Sequence, residues 1–180
     1  FFDEDNTRNV TDKQTKGKIK KYYELHGYGA FANLVKKQLI SGTNHIKDDK
    51  ERFQTEIKII KETFSDRVMI IDEVHNIRAG ESDIESRDTI NYIEKVIRYS
   101  DNLRLILLTA NPMYNMSSEI IWILNMLLLN DNRQTLSEKE IFNTTGTLIN
   151  PELLKDKCKG YISYLRGENP VSFPIRLYPK

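Results

Sequence analysis

An α/β fold built on a parallel sheet is predicted by three features of this 180-residue sequence. Two short apolar runs, "VMII" at 68–71 and "LRLILL" at 103–108, have strand length and each ends abruptly in polar residues. Between them, "TINYIEKVIRYS" places Ile90, Ile93, Val96 and Ile97 at helical spacing on one face. Strand, helix, strand is the βαβ rhythm, in which the crossover helix makes the two strands parallel. A continuous run such as "VMII" is expected to be buried on both sides, as in sheets whose faces are covered by helices.

The remaining elements follow in chain order. Residues 1–18 are polar and charged and read as a loop or exposed remnant. A short strand is expected near Ile19–Tyr23, a turn at Gly27–Gly29, and a helix from about Ala30 to Leu39. Tyr22, Tyr23, Tyr28 and Phe31 suit either a base-stacking surface or a sheet edge packed on its helices, the second being the commoner use. "SGTNHIKDD" is punctuated as a loop. After it Phe53, Ile57, Ile60 and Phe64 repeat with helical spacing. "AGESDIESRD" reads as a polar loop before the crossover helix, and Pro112 stops simple continuation of the second strand. "SEIIWILNMLLLN" is a helix apolar enough to pack on more than one side, with Ser117 placed to cap it. "NTTGTLINP" is a hinge or turn, and Pro151 favours the start of a last helix. The tail "RGENPVSFPIRLYPK" has three prolines and reads as extended or linker-like.

The polar ends of the two strands carry the chemistry. Ligands of open α/β sheets bind beyond the carboxyl ends of the strands. Asp72 and Glu73 follow "VMII" at that edge. A carboxylate there suits Mg²⁺, a hard cation that prefers oxygen. A second acid can orient or deprotonate a water for in-line attack on a phosphate. Solvated acids that merely close a strand are also common. His75 can hydrogen-bond across such a cleft without being charged at neutral pH, although an isolated histidine here is more often an ordinary loop residue. Thr109 ends the next strand and lies near Asp72 if the strands are neighbours; alternatively Thr109 and Asn111 only shape the turn before Pro112. His26 and His45 have no ligand spacing.

Composition limits the partners. Lys and Arg number 27 against 26 Asp and Glu, a net charge of +1. That balance fits neither a basic nucleic-acid coat protein nor an acidic tail, though it permits a local basic groove. Cys158 is the only cysteine, so an intrachain disulfide and a cysteine zinc site are both excluded, in keeping with a reducing compartment. "FFDEDNTRN" lacks the basic start and apolar core of a signal peptide. The apolar run of "EIIWILNMLLLND" is too short to span a bilayer, so no membrane partner is expected. The chain opens on Phe1 and reads as a fragment or a processed product.

"IIDEVHNI" and "LLLTANPMYN" together resemble the Walker B (DEAD/DEAH-type) segment and the following Ser/Thr-Ala-Thr-like segment of superfamily-two helicases. More closely, the chain resembles the ATPase subunit of the early transcription factor and related helicases of large cytoplasmic DNA viruses: poxviruses, asfarviruses and mimivirus-like giants. "YGAFANLV" and "GYISYLRGENPVSFPIRLYP" belong to the likeness, the latter being its most discriminating part. It covers residues 19 to 180.

The resemblance implies a partial RecA-like three-layer domain with a parallel sheet, lacking its N-terminal strand and phosphate loop. Residues 1–18 are then a polar remnant, 19–148 the later part of the first ATP-binding domain, and 149–180 a helix and connector toward a second motor domain. It makes Asp72 the magnesium-side carboxylate and Glu73 the catalytic one, with His75 and Thr109 linking hydrolysis to domain motion. Asn111 departs from a pattern that usually has threonine, which puts the strength of that coupling in question. Tyr114, Asn115, Ser118 and Glu119 fall in domain packing, and Arg166 and Glu168 in the connector. Lys36 and Lys37 are the candidates for contact with DNA or RNA, set against the ordinary use of such lysines as a solvated helix face. The implied cofactors are Mg²⁺ and ATP in the parent protein. Implied partners are nucleic acid and a viral RNA polymerase or transcription-factor subunit, in host cytoplasm or virion. No "GxxxxGK[ST]" occurs, so a second reading stands beside the helicase or translocase: a degenerate or incomplete ATPase lobe serving as a structural or interaction module.

Overall fold

The computed structural model describes residues 15–17, 19–77, 84–113, 116–117 and 119–164. Along them run α1 (Tyr28–Thr43), α2 (Asp49–Phe64), β1 (Val68–Ile71), a 3₁₀ turn (Val74–Ile77), α3 (Ile84–Tyr99), β2 (Arg104–Leu107), α4 (Glu119–Asn130), α5 (Glu138–Ile141) and α6 (Pro151–Cys158). The fold is α/β, with an open two-stranded parallel sheet and helices around it. The chain divides into two compact units, residues 1–69 with 76–104 and residues 70–75 with 105–180.

In the first unit, α1 packs on α2 and α3 around Val35, Leu39, Ile60, Phe64 and Val96, all buried. At the α1–α2 contact Gly42 leaves room for the Ile59 side chain, whose terminal methyl would have to turn aside for a Cβ there. Asp48 caps α2 by accepting the Glu51 amide at 2.8 Å, so the "KDD" of the predicted loop does start the next helix. The two strands enter side by side through a polar turn pair. The Asp66 amide donates to the Asp101 carbonyl (3.0 Å), the Asn102 amide nitrogen to the Asp66 carboxylate (2.8 Å), and the Arg104 amide to the Arg67 carbonyl (2.9 Å). Asp66 and Asn102 both adopt positive φ, 58° and 50°. Asp and Asn accept that left-handed geometry more readily than other side chains.

In the second unit, α4 buries Ile121, Ile123, Leu124, Met126 and Leu128, more than one stripe of its surface, as its composition predicts. Ile121, Leu124 and Leu128 join Leu136, Ile141 and Phe142, with Leu153, Leu154 and Tyr161 against them. Asn125 clamps the returning loop, donating to the Leu136 carbonyl and accepting its amide, both at 2.8 Å. "NTTGTL" is a turn between Phe142 and Leu148, which form an antiparallel bridge, and Gly146 supplies φ 76°. Pro151 occupies the first turn of α6, as predicted.

Several expectations are corrected. Residues 19–22 are helical, not a strand. The Tyr23 amide donates to the Ile19 carbonyl (2.8 Å), a helical bond that needs no partner, whereas a strand needs a neighbour to pair with. Of the four aromatics there, Phe31 packs in the first core, its ring 5.6 Å from that of Phe64, while Tyr22 and Tyr23 are exposed. Helix α1 starts two residues before Ala30 and continues through Thr43, into the predicted loop. Helix α3 begins at Ile84, so "IESRD" is helical and not loop. Phe53 is exposed, standing edge-on to Tyr99.

"VMII" is not buried on both sides. Only Ile71 is buried, and Val68 and Ile70 are 58% and 55% exposed. Ile106 of the next strand and Leu108 just after it are likewise exposed, so among the described residues one apolar face of the sheet is left uncovered. Ser117 does not cap α4 as expected. Its hydroxyl donates to the Gly146 carbonyl (3.1 Å), and the Glu119 amide finds the Met116 carbonyl instead. Residues 1–14, Lys18, Tyr114, Asn115, Ser118 and the connector with Arg166 and Glu168 lie outside the described residues.

Candidate functional site

Asp72 and Glu73 leave the end of β1 in a tight turn held by the neighbouring strand. The Leu108 amide donates to the Ile71 carbonyl (2.9 Å), and the Val74 amide donates back to the Leu108 carbonyl (3.0 Å). These two bonds bracket the acids. Val74 is fully buried behind them, which fixes the turn from the core side. The Asp72 carboxylate accepts the Glu73 amide at 3.0 Å. Glu73 itself sits at φ 48°, in the left-handed region. A glutamate gains nothing locally from that geometry, and the cost is about 1 kcal/mol or more. Such outliers cluster at sites where side-chain direction matters.

His75 follows in the 3₁₀ turn with its ring mostly enclosed, its side chain 13% exposed. Its Nδ1 lies 2.8 Å from the Thr109 hydroxyl and 3.4 Å from the Glu73 carboxylate. The Thr109 hydroxyl also accepts the Asn111 amide at 3.1 Å. Glu73, His75, Thr109 and the Asn111 backbone therefore form one connected polar chain across two strand ends. The turn-only reading of Thr109 is half right: it shapes the turn through Asn111, and it bonds His75 as well. Asn111 takes part through its backbone amide, which every residue but proline possesses, so the departure from threonine at 111 leaves that bond intact.

The His75–Thr109 bond has a measurable consequence. Neutral imidazole has one donor and one acceptor nitrogen, so a hydroxyl can complement either tautomer. His75→Ala and Thr109→Ala should each lower stability, and the double variant should lose less than the sum, with a coupling of about 0.5–1.5 kcal/mol. Strictly additive losses in denaturant titrations would show that the two side chains do not interact.

Lys36 and Lys37 are placed differently from each other. Lys36 Nζ donates to the Asp88 carboxylate at 3.0 Å, linking α1 to α3. That bond, and the Asp88 charge with it, holds the Lys36 ammonium above its ordinary pKa. Lys37 is exposed on α1. Sequence reasoning missed Asp88, and no local signal marks it, because 52 residues separate the partners. An open groove of about 350 Å³ lined by Phe53, Asp88, Tyr92, Lys95 and Tyr99 belongs to the first unit and contains none of the predicted site residues, although Lys36's partner Asp88 lines it.

Among the described residues no group of three or more His, Cys, Asp or Glu side chains is clustered to hold a metal ion. Mg²⁺ does not demand such a cage. It keeps several waters and takes one or two carboxylates plus substrate phosphates. Asp72 fits that limited role; a phosphate-cradling loop is not in the sequence. No helix among the described residues is long and apolar enough to cross a membrane.

Comparison with known proteins finds the chain similar to viral proteins described as putative helicases. It is 29% identical to a "Putative ATP-dependent RNA helicase" of Acanthamoeba polyphaga mimivirus, over 90% of this chain and 25% of that protein. A second mimivirus protein of the same description is 26% identical, over 94% of this chain and 15% of its own length. A "Putative helicase" of Frog virus 3 is 28% identical, over 84% of this chain and 14% of its length. The chain thus spans no more than a quarter of these curated relatives. No protein-family model matches the sequence. No solved structure matches the fold.

Proposed function

We propose that this chain is an incomplete ATPase lobe of a helicase-like protein. It presents the carboxylate turn and its coupling pair, and serves a structural or interaction role within a larger nucleic-acid-dependent motor. The observation that carries this reading is the connected chain Glu73–His75–Thr109, built at the carboxyl ends of two parallel strands. Support for the setting comes from the relatives, whose names give helicase and, for two of them, ATP-dependent RNA helicase. In this scheme residues 19–148 are the later part of the first motor domain, and 149–180 lead toward a second. Titrating the 180-residue chain with Mg·ATP tests it. Saturable binding is not expected at micromolar nucleotide, since phosphate contacts carry much of the affinity in such sites. Micromolar binding would overturn the incomplete-lobe reading.

The parent protein, on this reading, hydrolyses ATP to move along DNA or RNA. ATP with Mg²⁺ supplies the phosphoryl group and the cation. Asp72 would hold the metal through its carboxylate, and Glu73 would orient the attacking water and take its proton. His75 and Thr109 are positioning residues: they fix the turn that aims Glu73, and they tie it to the segment after β2. The strained backbone at Glu73 favours this active reading over acids that simply close a strand. A place in viral transcription, beside an RNA polymerase or transcription-factor subunit, rests on "SYLRGENP" and its neighbours.

Nucleic-acid contact is assigned to Lys37, with Lys36 in a supporting role because its ammonium is engaged by Asp88. Backbone contacts of this kind carry no sequence information and weaken with salt. In the parent protein, Lys37→Ala should weaken binding to all sequences alike and reduce the salt slope by about 1. If the Lys36/Lys37 double alanine variant binds as the parent does, both positions are discarded.

A further inference from the structure

Helices α4 and α6 are held in the second unit by different means. Helix α4 buries Ile121, Ile123, Leu124, Met126 and Leu128, whereas no residue of α6 is buried. Leu153, Leu154 and Cys158 rest half-buried against the cluster around Leu128, and Tyr161 follows them. A helix this short depends on packing more than on propensity, so α6 has little apolar burial to keep it in place. Polar bonds at its two ends supply the rest. At the start, the Ile149 amide donates to the Ile141 carbonyl (2.8 Å), and the Asn150 side chain accepts the Leu153 amide (3.3 Å).

At the far end, Tyr161 reaches the turn that closes α4. Asn132 takes φ 54° there, its amide donates to the Leu129 carbonyl (3.1 Å), and the Arg133 amide donates to the Leu128 carbonyl (2.8 Å). This is the left-handed closure of a helix C-terminus, with asparagine in the position that glycine more often takes. It brings Asp131 and Arg133 to one phenol. The Tyr161 hydroxyl donates to the Asp131 carboxylate and accepts from Arg133 Nη1 (3.1 Å), and the guanidinium lies 5.4 Å from the centre of the ring. Both bonds of this hydroxyl are made to charged partners, the stronger class of hydrogen bond. Lys157 Nζ adds a bond to the Gln134 carbonyl of the same loop (3.3 Å). Gly160, at φ 87°, makes the turn that carries the chain from α6 to Tyr161.

We propose that α6 and Tyr161 form a releasable strap. Residues 151–161 open from the second unit as one piece while the core around α4 stays packed, and the Asp131–Tyr161–Arg133 clasp sets how often they do. Local openings draw on segments with few buried apolar contacts, and α6 is such a segment. The pivot is Asn150, and residues 151–161 once freed have an extended reach of about 35–40 Å. One consequence rests on the motor reading above: the strap sets the length of the connection toward a second motor domain, short when clasped and long when released. The strap itself does not depend on ATP chemistry.

Amide hydrogen exchange of the 180-residue chain, followed by NMR over a series of low denaturant concentrations, tests the strap without nucleotide. The amides of residues 154–158 are expected to exchange about tenfold or more faster than those of α4, with a shallower dependence on denaturant, because their opening exposes less surface. Tyr161→Phe removes both hydroxyl bonds and keeps the ring, and should accelerate exchange at 154–158 about tenfold. Asp131→Asn leaves a neutral acceptor and should give a smaller acceleration. Lys155→Gln changes a side chain that is 80% exposed and should leave exchange unaltered. Protection of the α4 amides reports in every variant that the core is folded. Equal rates and equal denaturant slopes for α6 and α4 in the unaltered chain would overturn the proposal. So would unchanged α6 exchange in Tyr161→Phe, or as large an effect from Lys155→Gln. Either failure leaves the incomplete-lobe reading standing, since Mg·ATP titration decides that separately.

Discussion

Glu73→Gln in the intact parent protein should leave Mg·ATP binding unchanged and lower nucleic-acid-stimulated hydrolysis by about 100- to 10,000-fold, the range a positioned acid–base group contributes. Gln keeps the length and the hydrogen-bonding carbonyl but cannot take a proton from water. The Glu73 side chain is half exposed, so the change creates neither a cavity nor a buried unpaired charge. A fall in turnover with unaltered nucleotide affinity is what loss of a transition-state interaction predicts. Full turnover in this variant would remove Glu73 from the mechanism. Glu73→Gly is the informative companion. Glycine tolerates φ 48° without the Cβ penalty, so this variant should unfold about 1 kcal/mol later while also losing turnover. Stability and activity would then move in opposite directions at one residue, as expected where backbone strain serves the site.

The second large effect lies in the hydrophobic core of the same unit. Leu128→Ala removes a fully buried side chain from the cluster of Ile121, Leu124, Leu136, Ile141 and Phe142. Transfer and cavity terms together should cost about 2–5 kcal/mol. A domain of this size has about 5–15 kcal/mol in total, so a large share of its stability is at stake. Denaturant titration followed by Trp122, on the same helix, should show an earlier midpoint with an unchanged slope. A shift below about 0.5 kcal/mol, the size usual for surface positions, would mean that Leu128 is not in a packed core. Cys158 packs at the margin of that cluster, where burial pushes its thiol pKa up, so it is not poised as a reactive thiolate.

The positions of the candidate site residues at the two strand ends are legible in the sequence alone. Local sequence determined that two apolar strands flank an amphipathic helix, that Asp72 and Glu73 close the first and Thr109 follows the second, and that α4 is buried on several sides. Each of these is a short-range property: run length, periodicity of 3.6, or an abrupt change from apolar to polar. The start of α6 at Pro151 and the turn at Gly146 are of the same kind, since proline and glycine act on their own backbone torsions.

What only the tertiary structure decided depends on which residues meet. The His75–Thr109 bond spans 34 residues, and the Lys36–Asp88 pair spans 52. No pattern within either segment names its partner. At Asn111 the bond to Thr109 uses the backbone amide, and only geometry could separate that from its side chain. Residues 19–22 show the limit from the other side. A strand is stable only when a neighbour takes its backbone hydrogen bonds, whereas a helical turn satisfies them internally, so this local sequence gives helix where, among the described residues, no strand pairs with it. The left-handed turn at Glu73 was likewise invisible in "IIDEVH". Glutamate has no local reason to adopt it, and it is imposed by the two hydrogen bonds that strap the turn between Ile71, Val74 and Leu108.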